Sequence, residues 1–169
     1  MTRRQVARYG VLWTARIVTA AGLAIDAYVH LDLAHLYAEG GGAINEGVLF
    51  RAEAAAALLV AAAVIATGRR VCYLAGLAVA ASALAMMLVS RYANLGPIGP
   101  FPNLYDPAWY PEKLLAAFAE GAATATALAG AIMTGLAGQR RYCRGVSRWS
   151  CGSPWAWPGS SPPGTHRSS

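Results

Sequence analysis

Twenty consecutive residues without a charge, Val71–Ser90, are the strongest constraint on what this chain can become. About 20 apolar residues of helix cross the roughly 30 Å hydrocarbon layer of a bilayer. Gly121–Gln139 is a second uncharged run, and extending it back to Glu112 gives a helix that starts on charged residues. Ala54–Gly68 is a third, lengthened by Gly47–Phe50, with Arg51 and Glu53 near one end. Val11–Val29 is mostly apolar but holds Arg16 and Asp26. The pattern predicts an all-α fold, a four-transmembrane-helix bundle, with spans at about 9–30, 47–68, 71–91 and 112–137.

Composition excludes the main alternatives. The chain is 56% hydrophobic and 13% charged, where a soluble domain has roughly 45–50% apolar and about 25% charged residues. A soluble enzyme of common type, a disordered chain, a coiled coil and a disulfide scaffold all fit poorly. The apolar runs do not alternate in polarity as a membrane barrel requires, and their alanines favour helix. The first span has a basic start but is too long for the apolar region of a cleaved signal peptide. Arg3-Arg4 reads as a basic flank rather than a twin-arginine signal.

Charge placement predicts the orientation. Arg3, Arg4 and Arg8 precede the first span, Arg69 and Arg70 form the turn after the second, and Arg140, Arg141, Arg144, Arg148 and Arg167 follow the fourth. These segments carry ten basic residues and no acid. All eight acids, Asp26, Asp32, Glu39, Glu46, Glu53, Asp106, Glu112 and Glu120, fall in the other loops or the helix halves beside them. Lys and Arg beside short spans are retained on the cytoplasmic side. The expectation is a multi-pass protein of the cell membrane with both termini cytoplasmic. The net charge of +6 then reflects topology and contact with anionic lipid of the bilayer, not nucleic-acid binding.

Cys72, Cys143 and Cys151 fall on the expected cytoplasmic side, where thiols stay reduced; no CxxC appears and no His completes a zinc set. Domain organisation follows composition. Residues 1–138 form the transmembrane domain, and 139–169, rich in Arg, Ser, Pro and Gly, form a cytoplasmic tail expected to be disordered. Trp149, Trp155 and Trp157 in that tail suit the membrane interface, and His166 has no constellation around it.

The second outer loop, Tyr92–Pro111, contains Pro97, Pro100, Pro102, Pro107 and Pro111 with Phe101, Tyr105, Trp109 and Tyr110. Proline blocks helix, and aromatic rings sit well at headgroup level, so this loop should be a stiff cap on the outer mouth. Pro111 fits the first turn of the fourth helix, with Glu112 favourable beside its N-terminus. Small residues at four-residue spacing mark helix faces that can approach closely: Gly76 and Ala80; Gly121, Ala125 and Ala129; Ala123, Ala127, Ala131 and Gly135.

The residues that carry chemistry lie in the outer half. Charges within spans cost about 2.5–3.5 kcal/mol at the helix centre on insertion scales and are functional candidates by default. The candidate polar network is Asp26, His30, Arg51, Glu53, Arg91, Lys113 and Glu120. Acids and bases nearly balance in it, which suits an ion-pair network pinning the helices. It also suits a polar pocket for a small ligand, a proton or a quinone headgroup. Glu120 lies about 12 Å into its helix from Glu112, and a bridge between it and Lys113 through another helix's Arg or water is expected. Asp32, His35 and Glu39 have weak metal-ligand spacing, and the first helix can continue outward through Ala27–Glu39. No Walker loop, GxSxG or Rossmann fingerprint appears, and Gly40-Gly41-Gly42 has no strand before it.

Asp26–Ala34 (DAYVHLDLA), Gly47–Glu53 (GVLFRAE) and Arg91–Lys113 (RYANLGPIGPFPNLYDPAWYPEK) together resemble a group of small four-helix integral membrane proteins of actinobacteria. The likeness covers about residues 11–137 and brings no activity with it. In size and span number alone the chain is similar to DoxX-like proteins. The expected function is a non-enzymatic structural or accessory membrane protein, with no cofactor and with a second copy or another membrane protein as partner. The alternative is a membrane redox or transport component with a ligand, quinone or proton site in the outer half.

Overall fold

Four helices follow one another in the computed structural model, which describes residues 3–37, 45–97 and 103–145. They are α1 (Arg3–Ala34), α2 (Glu46–Thr67), α3 (Arg70–Tyr92) and α4 (Pro111–Gly145). No strand occurs among the described residues. All four are long and apolar enough to cross a membrane, which makes the architecture that of a multi-pass membrane protein. Tyr37 to Ile44, except Tyr37 itself, and the expected tail beyond Gly145 lie outside the described residues.

Each helix boundary has a local cause. Asn45 precedes α2 in extended conformation, and its side chain accepts from the Val48 amide at 2.9 Å, satisfying one of the helix's unpaired donors. Gly68 ends α2 at φ 56°, a left-handed conformation that a residue with a Cβ rarely adopts, and its amide donates to Val64. Arg69, in extended conformation, is the N-cap of α3, so the turn is only Gly68–Arg69. Pro111 opens α4 with Glu112 in the first turn, as the sequence pattern predicts.

The ends differ from the expected spans where the hydrocarbon boundary and the helix boundary part company. With 32 residues, α1 begins at Arg3 rather than near residue 9 and ends at Ala34. At 1.5 Å per residue it is about 48 Å long, so its arginine end projects beyond the apolar layer. Its outward continuation stops short of Glu39: Leu36 and Tyr37 amides both turn back to the Leu33 carbonyl. Helix α4 continues to Gly145, beyond the expected end near residue 137, because nothing in Gln139–Arg144 breaks a helix.

The compact unit ends at Thr134; of the second unit, Gly135–Gly145 is described and is helical. Within the first, small side chains let the helices approach. Leu23, Ala27, Ala54, Ala57, Ala61, Ala80 and Ala123 form one buried cluster, and Val64, Tyr73 and Ala131 another. A Cβ on Gly22 would stand 2.7 Å from the Ala119 carbonyl oxygen, and one on Gly130 would meet the Tyr73 ring. The Thr126 hydroxyl donates to Ala122 at 2.7 Å, so Thr19, 2.9 Å away on α1, donates to Thr126.

The outside of the bundle is as apolar as its inside. Leu58, Leu59, Ile65, Val71, Met86 and Phe118 are all exposed. Helices apolar all round belong in a core or a membrane. Arg16 is accommodated by the turn between α2 and α3: its Nε donates to Val64 at 2.8 Å, and its guanidinium lies 4.8 Å over the Trp13 ring. This corner encloses a cavity of about 200 Å³ between Tyr9, Trp13, Arg16, Thr67 and Tyr73.

Candidate functional site

Four titratable side chains from three helices meet in the half of the bundle away from the α2–α3 turn. Asp26 and His30 are one turn apart on α1 and therefore share a face. The Nδ1 atom of His30 lies 3.0 Å from the Asp26 carbonyl oxygen and 2.9 Å from its carboxylate Oδ1. Alignment favours the carbonyl, which leaves the carboxylate in contact without a directed hydrogen bond. The ring also packs edge-on against Phe50 of α2, which fixes its plane.

Glu120 enters from α4. Its carboxyl lies against that of Asp26, close enough for the two to share a hydrogen bond when one of them is protonated, and both residues are essentially inaccessible, at 1% and 0% exposure. Glu53 of α2 is the fourth member, half-buried and close enough to interact electrostatically with Asp26, His30 and Glu120. One ligand atom from each of Asp26, His30 and Glu120 lies within 4.8 Å of the others. Among the described residues this is the set whose spacing suits a metal ion. Asp26 Oδ2, Glu53 Oε1, both Glu120 oxygens and the neighbouring Thr124 hydroxyl are buried without hydrogen-bond partners.

The cations expected to balance these acids lie elsewhere. Lys113 is buried, and its Nζ donates to the Asp106 carbonyl at 2.7 Å and to its carboxylate at 3.1 Å. Arg91, at the end of α3, has its guanidinium 5.2 Å from the Tyr92 ring and 6.0 Å from the Trp109 ring. Arg51 is exposed. The candidate network therefore divides. Asp26, His30, Glu53 and Glu120 come together inside the bundle, while Lys113 and Arg91 anchor the aromatic loop. Asp32 and His35 of the weaker metal pattern are exposed, and Glu39 lies outside the described residues.

Asp106, Tyr37, Phe50 and Tyr110 are the residues that sequence reasoning did not single out for roles here. The Asp106 amide donates to Ser90 at 2.9 Å, tying the loop to the end of α3. Burial raises the Asp106 carboxyl, but hydrogen bonds from Lys113 and Ala108 outweigh it and hold the group below its ordinary value of 3.8. Burial, with Tyr37 and Asp106 beside it, pushes the Tyr110 hydroxyl well above its ordinary value, so it stays protonated. Tyr37 in turn packs edge-on against Phe50 and accepts the Gly47 amide on its carbonyl at 3.2 Å. The one signal in the sequence is that Asp106 and Lys113 are seven residues apart across a proline-rich turn.

Chemically, the site is an acid-rich centre whose Asp26 and Glu120 are buried from solvent. Burying an uncompensated carboxylate costs far more than burying a paired one. Two carboxyls at close range with a third nearby require positive charge, from protons or from a bound cation. Compared with known proteins, the chain matches no family model, no curated protein and no solved structure.

Proposed function

We propose that this membrane protein takes a cation into the Asp26–His30–Glu53–Glu120 centre, as a transport or redox component of the cell membrane with both termini cytoplasmic. The observation that carries this reading is the excess of buried acid: three carboxyls and one imidazole converge while the nearby lysine and arginines engage the loop or solvent. Ionisable groups inside membrane bundles face the interior and mark ion or proton paths.

The thermal midpoint of the purified protein in detergent tests it. In wild type the midpoint should move with pH across the neutral range or with added cation. In a variant combining Asp26→Asn, Glu53→Gln and Glu120→Gln both responses should vanish. A wild-type midpoint indifferent to pH and to every cation tried would overturn the reading.

A second reading, an accessory subunit without a ligand of its own, is supported by α4. Ala123, Ala127 and Ala131 are buried, but Ala125 and Ala129 are exposed, and Gly121 has open space where a Cβ would go. Small residues left on a lipid-facing side suit contact with another transmembrane helix. Gly121→Leu should then dissociate an oligomer or complex in mild detergent while the unfolding midpoint of the chain is unchanged.

A further inference from the structure

We propose that Asp26, His30 and Glu120 are the ligands of a first-row divalent transition-metal cation, with Glu53 facing them from α2. The proposal rests on the cation reading above and names the cation class.

The donor set selects the metal. One imidazole with carboxylates suits zinc, manganese or iron, whereas sulfur donors would be expected for softer ions. The described thiol, Cys72, lies beside Thr67 at the α2–α3 turn, on the far side of the bundle from Glu120. Calcium takes six to eight oxygens, and magnesium keeps most of its waters, so an imidazole among buried side chains disfavours both.

The geometry needs a modest rearrangement, in which the Asp26–His30 pair opens and Glu120 draws in. Metal–oxygen and metal–nitrogen distances of about 2.0–2.2 Å place tetrahedral ligand atoms about 3.5 Å apart. Asp26 Oδ1 and His30 Nδ1 stand 2.9 Å apart, and one ligand atom from each of the three residues falls within 4.8 Å of the others; to bind through Nδ1 the ring must give up its hydrogen bond to the Asp26 carbonyl. Rotation of Glu120 about its flexible side chain closes the remainder. The oxygens of Asp26 and Glu120 are buried, and the donors near them are the His30 ring and a proton shared between the two carboxyls, both of which a cation would replace.

Charge closes the argument. A divalent cation balances Asp26 and Glu120, and the centre is neutral when Glu53 carries a proton, as a low dielectric favours. Three protein ligands leave a fourth position open, as in sites that exchange water or substrate rather than purely structural ones. Glu53, close enough to interact electrostatically with all three ligands, would be the outer partner of a water bound there.

The test uses the full chain in detergent, stripped with a chelator and titrated with Mn²⁺ by electron paramagnetic resonance. We expect one Mn²⁺ per chain, displaced by stoichiometric Zn²⁺ but not by a hundredfold excess of Mg²⁺, with an imidazole nitrogen coupled to the bound ion. His30→Gln and Glu120→Gln should each weaken binding at least tenfold, while the exposed pair Asp32→Asn and His35→Gln leaves it unchanged. Absence of saturable Mn²⁺ or Zn²⁺ binding, or of nitrogen coupling in wild type, would overturn the proposal even if the variants misfold. Loss of binding in the Asp32/His35 variant with retention in Glu120→Gln would also overturn it. A midpoint that still follows pH but ignores metal would sink the metal and leave the proton-binding form of the cation reading standing.

Discussion

Lys113 reaches back seven residues to Asp106 rather than forward seven to Glu120. Its Nζ lies 2.7 Å from the Asp106 carbonyl and 3.1 Å from the carboxylate, and the side chain is buried at 6% exposure. Trp109 and Tyr110 place their rings within 6 Å of the same ammonium. This one contact separates the two halves of the polar network: the lysine closes the loop, and Glu120 is left to the acids of the bundle. It also fixes the loop on the end of α3 through the Asp106 amide and Ser90.

The Asp106–Lys113 pair makes the loop acid-sensitive. The Asp106 carboxyl is held below 3.8 in the folded protein. Its contribution is therefore complete above the unfolded value and disappears as pH falls through the lower folded value. Because the carboxylate is about a third exposed, solvent screening limits the effect to about 1 kcal/mol or less. Thermal midpoints should fall more steeply below pH 4 in wild type than in Asp106→Asn. Parallel curves would show that the pair contributes nothing.

Close packing of α1 on α4 depends on Gly22. A Cβ there would stand 2.7 Å from the Ala119 carbonyl oxygen and 2.9 Å from the Ala123 Cβ. Gly22→Val must push the helices apart, and overpacking of this kind costs about 1–3 kcal/mol. Unfolding in detergent should show a lower midpoint for Gly22→Val, whereas Gly10→Val, with nothing within 4 Å, should match wild type. Equal midpoints would mean that the helices are less closely apposed.

Arg16 is a structural arginine. Its Nε caps the Val64 carbonyl at 2.8 Å, beside the left-handed Gly68. Lysine carries the same charge but lacks a guanidinium fork to place Nε there. Arg16→Lys should lower stability by about 1–2 kcal/mol, readable as a midpoint shift. Tyr73→Phe, which loses a longer 3.4 Å bond to Leu12, should shift it less. The reverse order would assign the corner to the tyrosine.

The orientation proposed from the arginines predicts opposite reporter outcomes. A fusion inserted at Gly42, between α1 and α2, should report the outer side, and one at Ser169 the cytoplasm. Both on one side would refute an even number of spans. Replacing Arg69 and Arg70 by Ser should weaken this preference, because those are the basic residues of the single inner turn.

The sequence by itself determined the four helices and their depth in the bilayer. A run of about 20 apolar residues needs no tertiary partner to declare a span, and Pro111, Gly68 and Asn45 carry their boundary chemistry locally. Depth is counted along the chain, so Asp26, Glu53 and Glu120 could be placed at one level before any packing was known. What only the tertiary structure decided is azimuth. Arg51 and Glu53 are neighbours in depth, but two residues turn a helix by about 200°, so one faces out and the other in. The same holds for α4, where the Ala123 register packs and the Ala125 register does not. Rotation of each helix about its axis is set by which small residues admit a neighbour, as Gly22 admits Ala119 and Gly130 admits Tyr73. Those rotations gather the acids around His30 and send Lys113 and Arg91 to the loop and Arg51 to the outside, a division that charge counting alone could not foresee.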